Sequence, residues 1–401
     1  MPKVKDRPMF GSAIETRLES TDIARQLVDD VMASLDGCPP HVCMLFASAH
    51  FEDRLSSIVD EIAEALPTRA LIGSTGRTVI RDHQEYENQP SISLWAAHMP
   101  GAHVASFHLS QSDLERLDTP ESLQEYICVD PADEPYFIVT GDPYSINGQE
   151  LVERFNCAYP QRPVFGGMAS SGERPGQNRI VFDGQTLRHG AAGVAMWGPL
   201  RIDGVVSQGC RPIGEPMVIT KAQGNVIHEL GGKRAKRVFR GILDRCSVRD
   251  VTLAREQGML IGRVIDASKT HFGRGDFLMR QFRLVPNADA ILINDEVRPG
   301  QTIQFHVQDA HSAAEDLESL LADQSSRPVA GGPLFTCNGR GTRLVSRRHH
   351  DARSLVEALG SIPVAGISCA GEIGPIGGRN YLHGHTASIA LFRPSDSGDQ
   401  S

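Results

Sequence analysis

At 401 residues, with 40% apolar and 22% charged residues, the chain has the composition of an ordinary globular protein and the length for two or three cores, which excludes disordered and fibrous classes. Forty Lys and Arg against 49 Asp and Glu give a formal charge of −9, so no overall field would gather nucleic acid or an anionic membrane. No apolar run approaches the roughly 18 to 20 residues that span a bilayer, the start MPKVKDRPMFGSA has no secretion-signal core, and the eight cysteines form no CxxC pair, so a cytoplasmic chain with reduced thiols and no membrane insertion is expected.

Ile23, Leu27, Val28, Val31 and Leu35 recur at helical spacing and predict a helix over 21–35, capped by Ser20 and ended at Gly37 and Pro39. VCMLFAS (42–48) reads as a buried strand. Leu55, Ile58, Val59, Ile62 and Leu66 then mark a helix stopped by Pro67, and RALIGSTG (69–76) is the next strand. The order recurs in PYFIVTGD (135–142), a short helix with Leu151, Val152 and Phe155, and RPVFGGMASSGE (162–173). It recurs again in PLFTCNGRG (333–341), a helix with Leu355, Val356 and Leu359 closed by Gly360, and IPVAGISCAGEIGP (362–375). Each copy leads to a further apolar strand: SISLWAAH (91–98), AAGVAMWG (191–198) and TASIALF (386–392).

Three copies of one order imply one supersecondary unit used repeatedly. The expected fold class is mixed α/β (α+β): strand-helix-strand modules forming mixed sheets packed with helices, in a duplicated two-domain architecture. Between the second and third copies, GMLIGRVI (258–265), DFLMRQFRLV (276–285) and AILINDEVRPGQTIQFHVQD (290–309) read as strands, with VRPG (297–300) as a hairpin turn. Ser312 and Glu315 have the spacing of a capping box before Leu317, Leu320 and Leu321. The division expected is an extension with the first helix (1–39), a domain of two modules (40–240, modules 40–110 and 133–210), a second domain (241–393) and a disordered tail (394–401). The run Lys233, Arg234, Lys236 and Arg237 is read as a solvated surface.

Glycines and small hydroxyl residues gather after the strands: Gly73, Ser74, Thr75 and Gly76; Gly166, Gly167, Ser170, Ser171 and Gly172; Gly366, Ser368, Cys369 and Gly371. There they let backbone N–H groups approach a small anion, or serve as tight crossings between layers. Asn338, Gly339, Arg340 and Gly341 place a guanidinium at a strand end, where it could grip a carboxylate or sit in a solvated turn. Glu372, held between Gly371, Gly374 and Pro375, could receive a ligand amine or orient Arg340, and together the two would complement an amino-acid zwitterion. Nothing fits GxxxxGK[ST] and no dinucleotide fingerprint follows the first strand, so no cofactor is expected. His349, His350 and Asp351, and the alternating His383 and His385, do not complete a four-ligand set, so no metal is expected. Cys369 on its glycine turn with His350 or His383 as base is the catalytic alternative, against the usual fate of such a thiol as a buried small hydrophobe.

CNGRG (337–341), IPVAGISCAGEIGPIGG (362–378) and LHGHTASIALF (382–392) resemble the C-terminal half of the FIST family, as does VQDAHSAAEDL (307–317). ALIGSTG and GCRPIGEPMVITKAQGNVIHELGGKRA (209–235) resemble its N-terminal half, so the likeness spans about 40–392. What the resemblance implies is a bacterial sensory domain of signal transduction that binds small ligands such as amino acids. The expected partners are a small molecule and a separate signalling protein, with no nucleic acid and a homo-oligomer left open. The ligand residues expected are Arg340, Asn338, Gly339, Gly341, Ser368, Cys369, Gly371, Glu372, Gly73 and Ser74. The alternatives are a Cys- or Ser-dependent hydrolase or transferase using Cys369, or a protein-interaction platform.

Overall fold

The computed structural model describes residues 7–345 and 347–394, so the expected tail, from 395 onward, lies outside the described residues. The first repeat runs β1 (Met9–Glu15), α1 (Ile23–Ser34), β2 (Val42–Ala47), α2 (Leu55–Ala65), β3 (Leu71–Thr75), a hairpin of β4 (Thr78–Arg81) and β5 (Gln84–Glu87), then β6 (Ile92–His98). The second follows the same plan: β7 (His103–Leu109), α3 (Gln111–Arg116), α4 (Pro120–Ile127), β8 (Tyr136–Gly141), α5 (Gly148–Ala158), β9 (Val164–Met168), hairpin β10 (Ile180–Phe182) and β11 (Gln185–Leu187), then β12 (Ala191–Trp197).

The third opens with β13 (Arg201–Gln208) and is interrupted by a separate unit. That unit comprises β14 (Cys210–Gln223), β15 (Val226–Leu230), β16 (Lys233–Arg234), α6 (Ala235–Leu243), α7 (Val248–Glu256), β17 (Met259–Val264), β18 (Phe277–Leu284), β19 (Ile291–Ile293) and β20 (Thr302–Gln308). The repeat resumes with α8 (Ala310–Gln324), β21 (Gly332–Cys337), α9 (His350–Leu359), β22 (Val364–Cys369), hairpin β23 (Glu372–Ile376) and β24 (Arg379–His383), and β25 (Thr386–Arg393).

The three repeat sheets have orders β1-β6-β2-β3-β10-β11, β7-β12-β8-β9-β23-β24 and β13-β25-β21-β22-β4-β5. Each has a parallel pair at its heart and antiparallel neighbours, and each is completed by a hairpin from another repeat. The first repeat gives its hairpin to the third sheet, the third to the second, and the second to the first. The exchanged pieces meet where small residues end or follow the strands of the parallel pairs. At the crossing Ser170 donates from its N–H to the Thr75 carbonyl (3.0 Å) and from its hydroxyl to the Ser368 carbonyl (2.5 Å), while the Ser368 hydroxyl accepts from the Thr78 N–H (3.0 Å).

Gly73, Gly166 and Gly366 occupy the same register in the three sheets, opposite Leu45, Val139 and Leu334. A Cβ at any of them would lie 1.8 Å from the facing carbonyl oxygen, so only glycine fits. A central core of Phe46, Trp95, Phe165, Phe335, Ile367 and Phe392 fills the space between the three sheets, and separate cores join each outer face to its helices.

In the interrupting unit the order is β14-β20-β17-β18-β19-β15-β16, and a further pairing of β14 with β15 closes it on itself around Ile213, Ile261, Ile291 and Phe305, with Phe239 and Ile242 of α6. All its pairings are antiparallel.

The repeated modules and mixed sheets agree with the sequence, and several local expectations do not. Residues 9–15 are no extension: they form the edge strand beside β6. Residue 240 lies inside α6, within the interrupting unit. Asp22, not Ser20, precedes α1, and Ser312 sits inside α8, which Asp309 caps by accepting from the His311 N–H at 3.1 Å. VRPG does not join paired strands, because β17 and β18 separate β19 from β20. Among the described residues no helix is long and apolar enough to cross a membrane.

Candidate functional site

A cleft of about 1040 Å³ opens where three parts of the fold meet. Its floor is the end of the third sheet, with Cys337 of β21 and the following Asn338 and Gly339, and Cys369 of β22 and the following Ala370 and Gly371, joined by Leu382 to His385, where β24 of the second sheet turns toward β25. Pro143 and Ile146 to Gln149, leading into α5, and Met168 of β9 form one side. Met279, Arg280, Gln281, Asn294 and Gln308 of the interrupting unit form the other, with Glu256 and Gln257 from the end of α7. A hollow of about 30 Å³ lies next to it, lined by Arg77, Glu85, Asn338, Arg340, Gly341 and Ser368 among others.

Of the ten residues named from sequence, Glu372 lies buried and lines neither space, and the other nine separate into three groups. Asn338, Gly339, Cys369 and Gly371 border the cleft. Arg340, Gly341 and Ser368 border the small hollow, where Asn338 also reaches. Gly73 and Ser74 belong to the interior of the first sheet, as strand-approach residues.

Arg340 is 3% exposed and is held inside the protein. Its Nε and Nη2 donate to the two carboxylate oxygens of Asp351 at 2.8 and 2.7 Å, a bidentate pair. Asp351 also accepts from the Thr336 hydroxyl (2.5 Å) and meets His350 Nδ1 at 3.0 Å. Burial alone would favour the neutral acid, but the Arg340 charge and hydrogen bonds overcome it and hold the Asp351 carboxyl far below the usual carboxylate range. The guanidinium expected to meet a ligand is therefore already engaged, apart from Nη1, which has no partner.

Glu372 is fully buried beneath the floor, where Oε2 accepts from the Thr386 N–H at 3.1 Å, the Cys337 thiol lies against the carboxyl, and Oε1 has no N–H or O–H partner among the described residues. Burial pushes its carboxyl up to about 8, so it is largely protonated at neutral pH and does not carry the expected countercharge for an amine. His383 donates from Nε2 to the Gly374 carbonyl (2.9 Å), leaving Nδ1 as an unpartnered acceptor, and burial lowers its pKa to about 4. His385 meets Gln308 at 2.6 Å and is likewise lowered to about 4 by burial. The two histidines thus point to different partners, and among the described residues no cluster of His, Cys, Asp and Glu is arranged to hold a metal.

The Cys369 and His350 alternative finds no support in this geometry. Cys369 is 0% exposed, its thiol faces the Ile367 carbonyl at 3.7 Å, and burial raises its pKa well above the ordinary thiol value. A thiol so placed does not form thiolate near neutral pH. His350 is committed to Asp351.

Of the eight buried side-chain atoms without a partner among the described residues, two belong to cleft-lining residues, Asn338 Oδ1 and His383 Nδ1, while Arg340 Nη1 belongs to the adjoining hollow and Glu372 Oε1 lies beneath the floor. Buried polar atoms are normally paired, so such a concentration marks a place where a polar guest would complete the set. Sequence reasoning missed the whole wall from β18, β20 and α5. Those residues are far apart in the chain and carry no motif, and only the closure of the interrupting unit brings them to the floor.

The FIST N domain model matches residues 41–233 and the FIST C domain model residues 235–375. The chain belongs to the FIST family. It carries the FIST N and FIST C pair, the duplicated architecture expected from sequence, and FIST domains are a sensory module of signal transduction. The uncharacterized protein Rv0628c of Mycobacterium tuberculosis is 36% identical over 387 residues, covering 96% of this chain and 99% of its own. The uncharacterized protein Mb0898c of Mycobacterium bovis is 35% identical, covering 96% and 98%. Among solved structures, a cyanuric acid hydrolase from A. caulinodans covers 96% of this FIST protein and 99% of its own chain at 8% identity, but its TM-score of 0.37 carries no functional argument.

Proposed function

We propose that this FIST protein is a sensor that binds a small polar ligand bearing a carboxylate, of the amino-acid class, in the cleft between the third sheet, α5 and the interrupting unit, and passes the signal to a separate partner. The observation that carries the reading is the pair of unpartnered buried acceptors on the cleft floor, Asn338 Oδ1 and His383 Nδ1, with the unpartnered Arg340 Nη1 in the adjoining hollow. A protein that maintains such atoms loses stability unless something else satisfies them. The floor at neutral pH offers Asn338 Oδ1 and the neutral His383 Nδ1 as acceptors. Arg343 is exposed at the rim and shared by cleft and hollow, with no ion pair among the described residues.

Because Arg340 already answers Asp351, it serves this site as a positioning residue, and Asn338 makes the cleaner test. Titration calorimetry of the full chain against free L-amino acids, short dicarboxylates and dipeptides should give saturable binding to one class. Asn338→Ala should weaken it roughly three- to tenfold, the equivalent of one neutral hydrogen bond of about 0.5 to 1.5 kcal/mol. Unchanged affinity in a folded Asn338→Ala protein would remove the floor from the account.

A further inference from the structure

The wall facing this floor carries a cation of its own. Arg280, on β18, is only 8% exposed. Its Nε donates to Asp295 at 3.1 Å and its Nη1 to the Met279 carbonyl at 3.0 Å, while Nη2 has no hydrogen-bond partner among the described residues. Asp295 cannot neutralise it alone, because the same oxygen accepts from Arg263 Nε at 3.0 Å. Two guanidinium groups thus share one carboxylate and leave a surplus positive charge in a nearly closed wall, where an unmatched charge is poorly tolerated. Burial correspondingly lowers the pKa of Arg280, in spite of Asp295.

Three further features point into the same space. The first turn of α5 borders the cleft and presents the positive end of an 11-residue helix, and Gln149 in that turn reaches Asp295 at 3.1 Å. His383, 3% exposed with Nδ1 unpartnered, lines the floor near enough for the Arg280 charge to help keep it neutral. The cleft volume of about 1040 Å³ is at the upper end of the range for a drug-sized ligand, roughly 300 to 1000 Å³, and a free amino acid would fill little of it.

We propose that Arg280 is the anion anchor of the cleft, and that the ligand is an acid of dipeptide size which sets its carboxylate on Arg280 and turns N–H groups toward Asn338 and His383. This rests on the reading of the cleft as the ligand site, and it adds which wall holds the charge and how large the guest is. A ligand held this way bridges the interrupting unit and the third sheet.

The test titrates the full chain with three pools: unmodified dipeptides, the same dipeptides as C-terminal amides, and free amino acids. The expected result is binding of the unmodified dipeptides alone. Arg280→Gln should weaken that binding at least about tenfold, as loss of a charge-assisted hydrogen bond does, and Arg280→Lys should recover part of it. Asp295 keeps Arg263 and Gln149 in the Gln variant, and a thermal melt checks that the variant is folded. Equal binding of acid and amide, binding of free amino acids alone, or dipeptide affinity untouched in folded Arg280→Gln would overturn the anchor while leaving a ligand site in place. Silence of all three pools would remove both this proposal and the sensor reading.

Discussion

At the scale of single residues, the groups around the site are held by burial in protonation states they would not choose in water, and this makes stability depend on pH in two opposing ways. Glu85 and Glu372, pushed up to about 8 by burial, keep protons in the fold that the unfolded chain, with its ordinary value of 4.5, has released. Their contribution is complete below the unfolded value and is lost as pH rises toward 8. His306, His383 and His385, lowered to about 4 by burial from 6.5, do the reverse: the unfolded chain takes up protons that the fold refuses, and stability is lost as pH falls from 6.5 toward 4. Four imidazoles, His41 being lowered by burial as well, outweigh two carboxyls on the acid side; above it the carboxyls dominate to about pH 8, where the buried thiols of Cys43, Cys210, Cys337 and Cys369, raised by burial, begin to add to the fall. Urea midpoints measured from pH 5 to 8.5 should therefore peak at about pH 6.5, with each proton contributing up to about 1.4 kcal/mol per pH unit. Glu372→Gln should roughly halve the fall between about pH 7 and 8, and an unaltered slope there would show that this carboxyl is ionised in the fold. The buried pair of Arg340 with Asp351 yields a second expectation. Arg340→Ala strands a carboxylate at 1% exposure and should cost about 3 to 5 kcal/mol in a denaturant titration. A loss below about 1 kcal/mol would free Arg340 for the ligand role first read from its glycine-flanked turn.

At the scale of elements, the strands and helices of the three repeats were legible because each pairs a short apolar run with a helical stripe that ends at Gly or Pro. VCMLFAS, PYFIVTGD and PLFTCNGRG are buried on both faces, and such strands announce themselves by composition. The hairpins were not legible. RTVIRDHQEY alternates weakly, and what fixes β4 and β5 is a sheet edge supplied by β22, almost 300 residues away. The glycines were read either as room for a guest or as tight crossings, and at Gly73 the constraint is a close approach, from the backbone carbonyl of Leu45. In the site, Asn338, Gly339, Cys369 and Gly371 were within reach because they follow strands of one module. Arg280 and Gln149 were not, since an arginine in a strand and a glutamine in a helix turn carry no signal until two distant units close on each other.

At the scale of the whole molecule, the boundary between the two family halves, at 233 and 235, does not fall between independent structures. The N-terminal half contains β4 and β5, which complete the third sheet, and its own second sheet is finished by β23 and β24 from the far end of the chain. A fragment of residues 1–233 should accordingly lack a cooperative thermal transition and show poorly dispersed amide resonances. A sharp melt from that fragment would mean the exchanged hairpins are dispensable. The interrupting unit stands differently: it leaves and rejoins the third repeat at neighbouring points, since the Asp309 N–H donates to the Gly209 carbonyl at 3.2 Å. It is an addition to a body already complete without it, and the candidate ligand site exists only where the addition touches that body.

The giving of hairpins runs in a ring that closes after three donations. A polypeptide one third as long could satisfy every open edge only by assembling as a closed trio of identical copies, each lending its β-ribbon to a neighbour. Tethering the three in one chain removes the dependence on concentration, and it also frees each third to differ. Here one third has used that freedom to accept the insertion that walls the cleft.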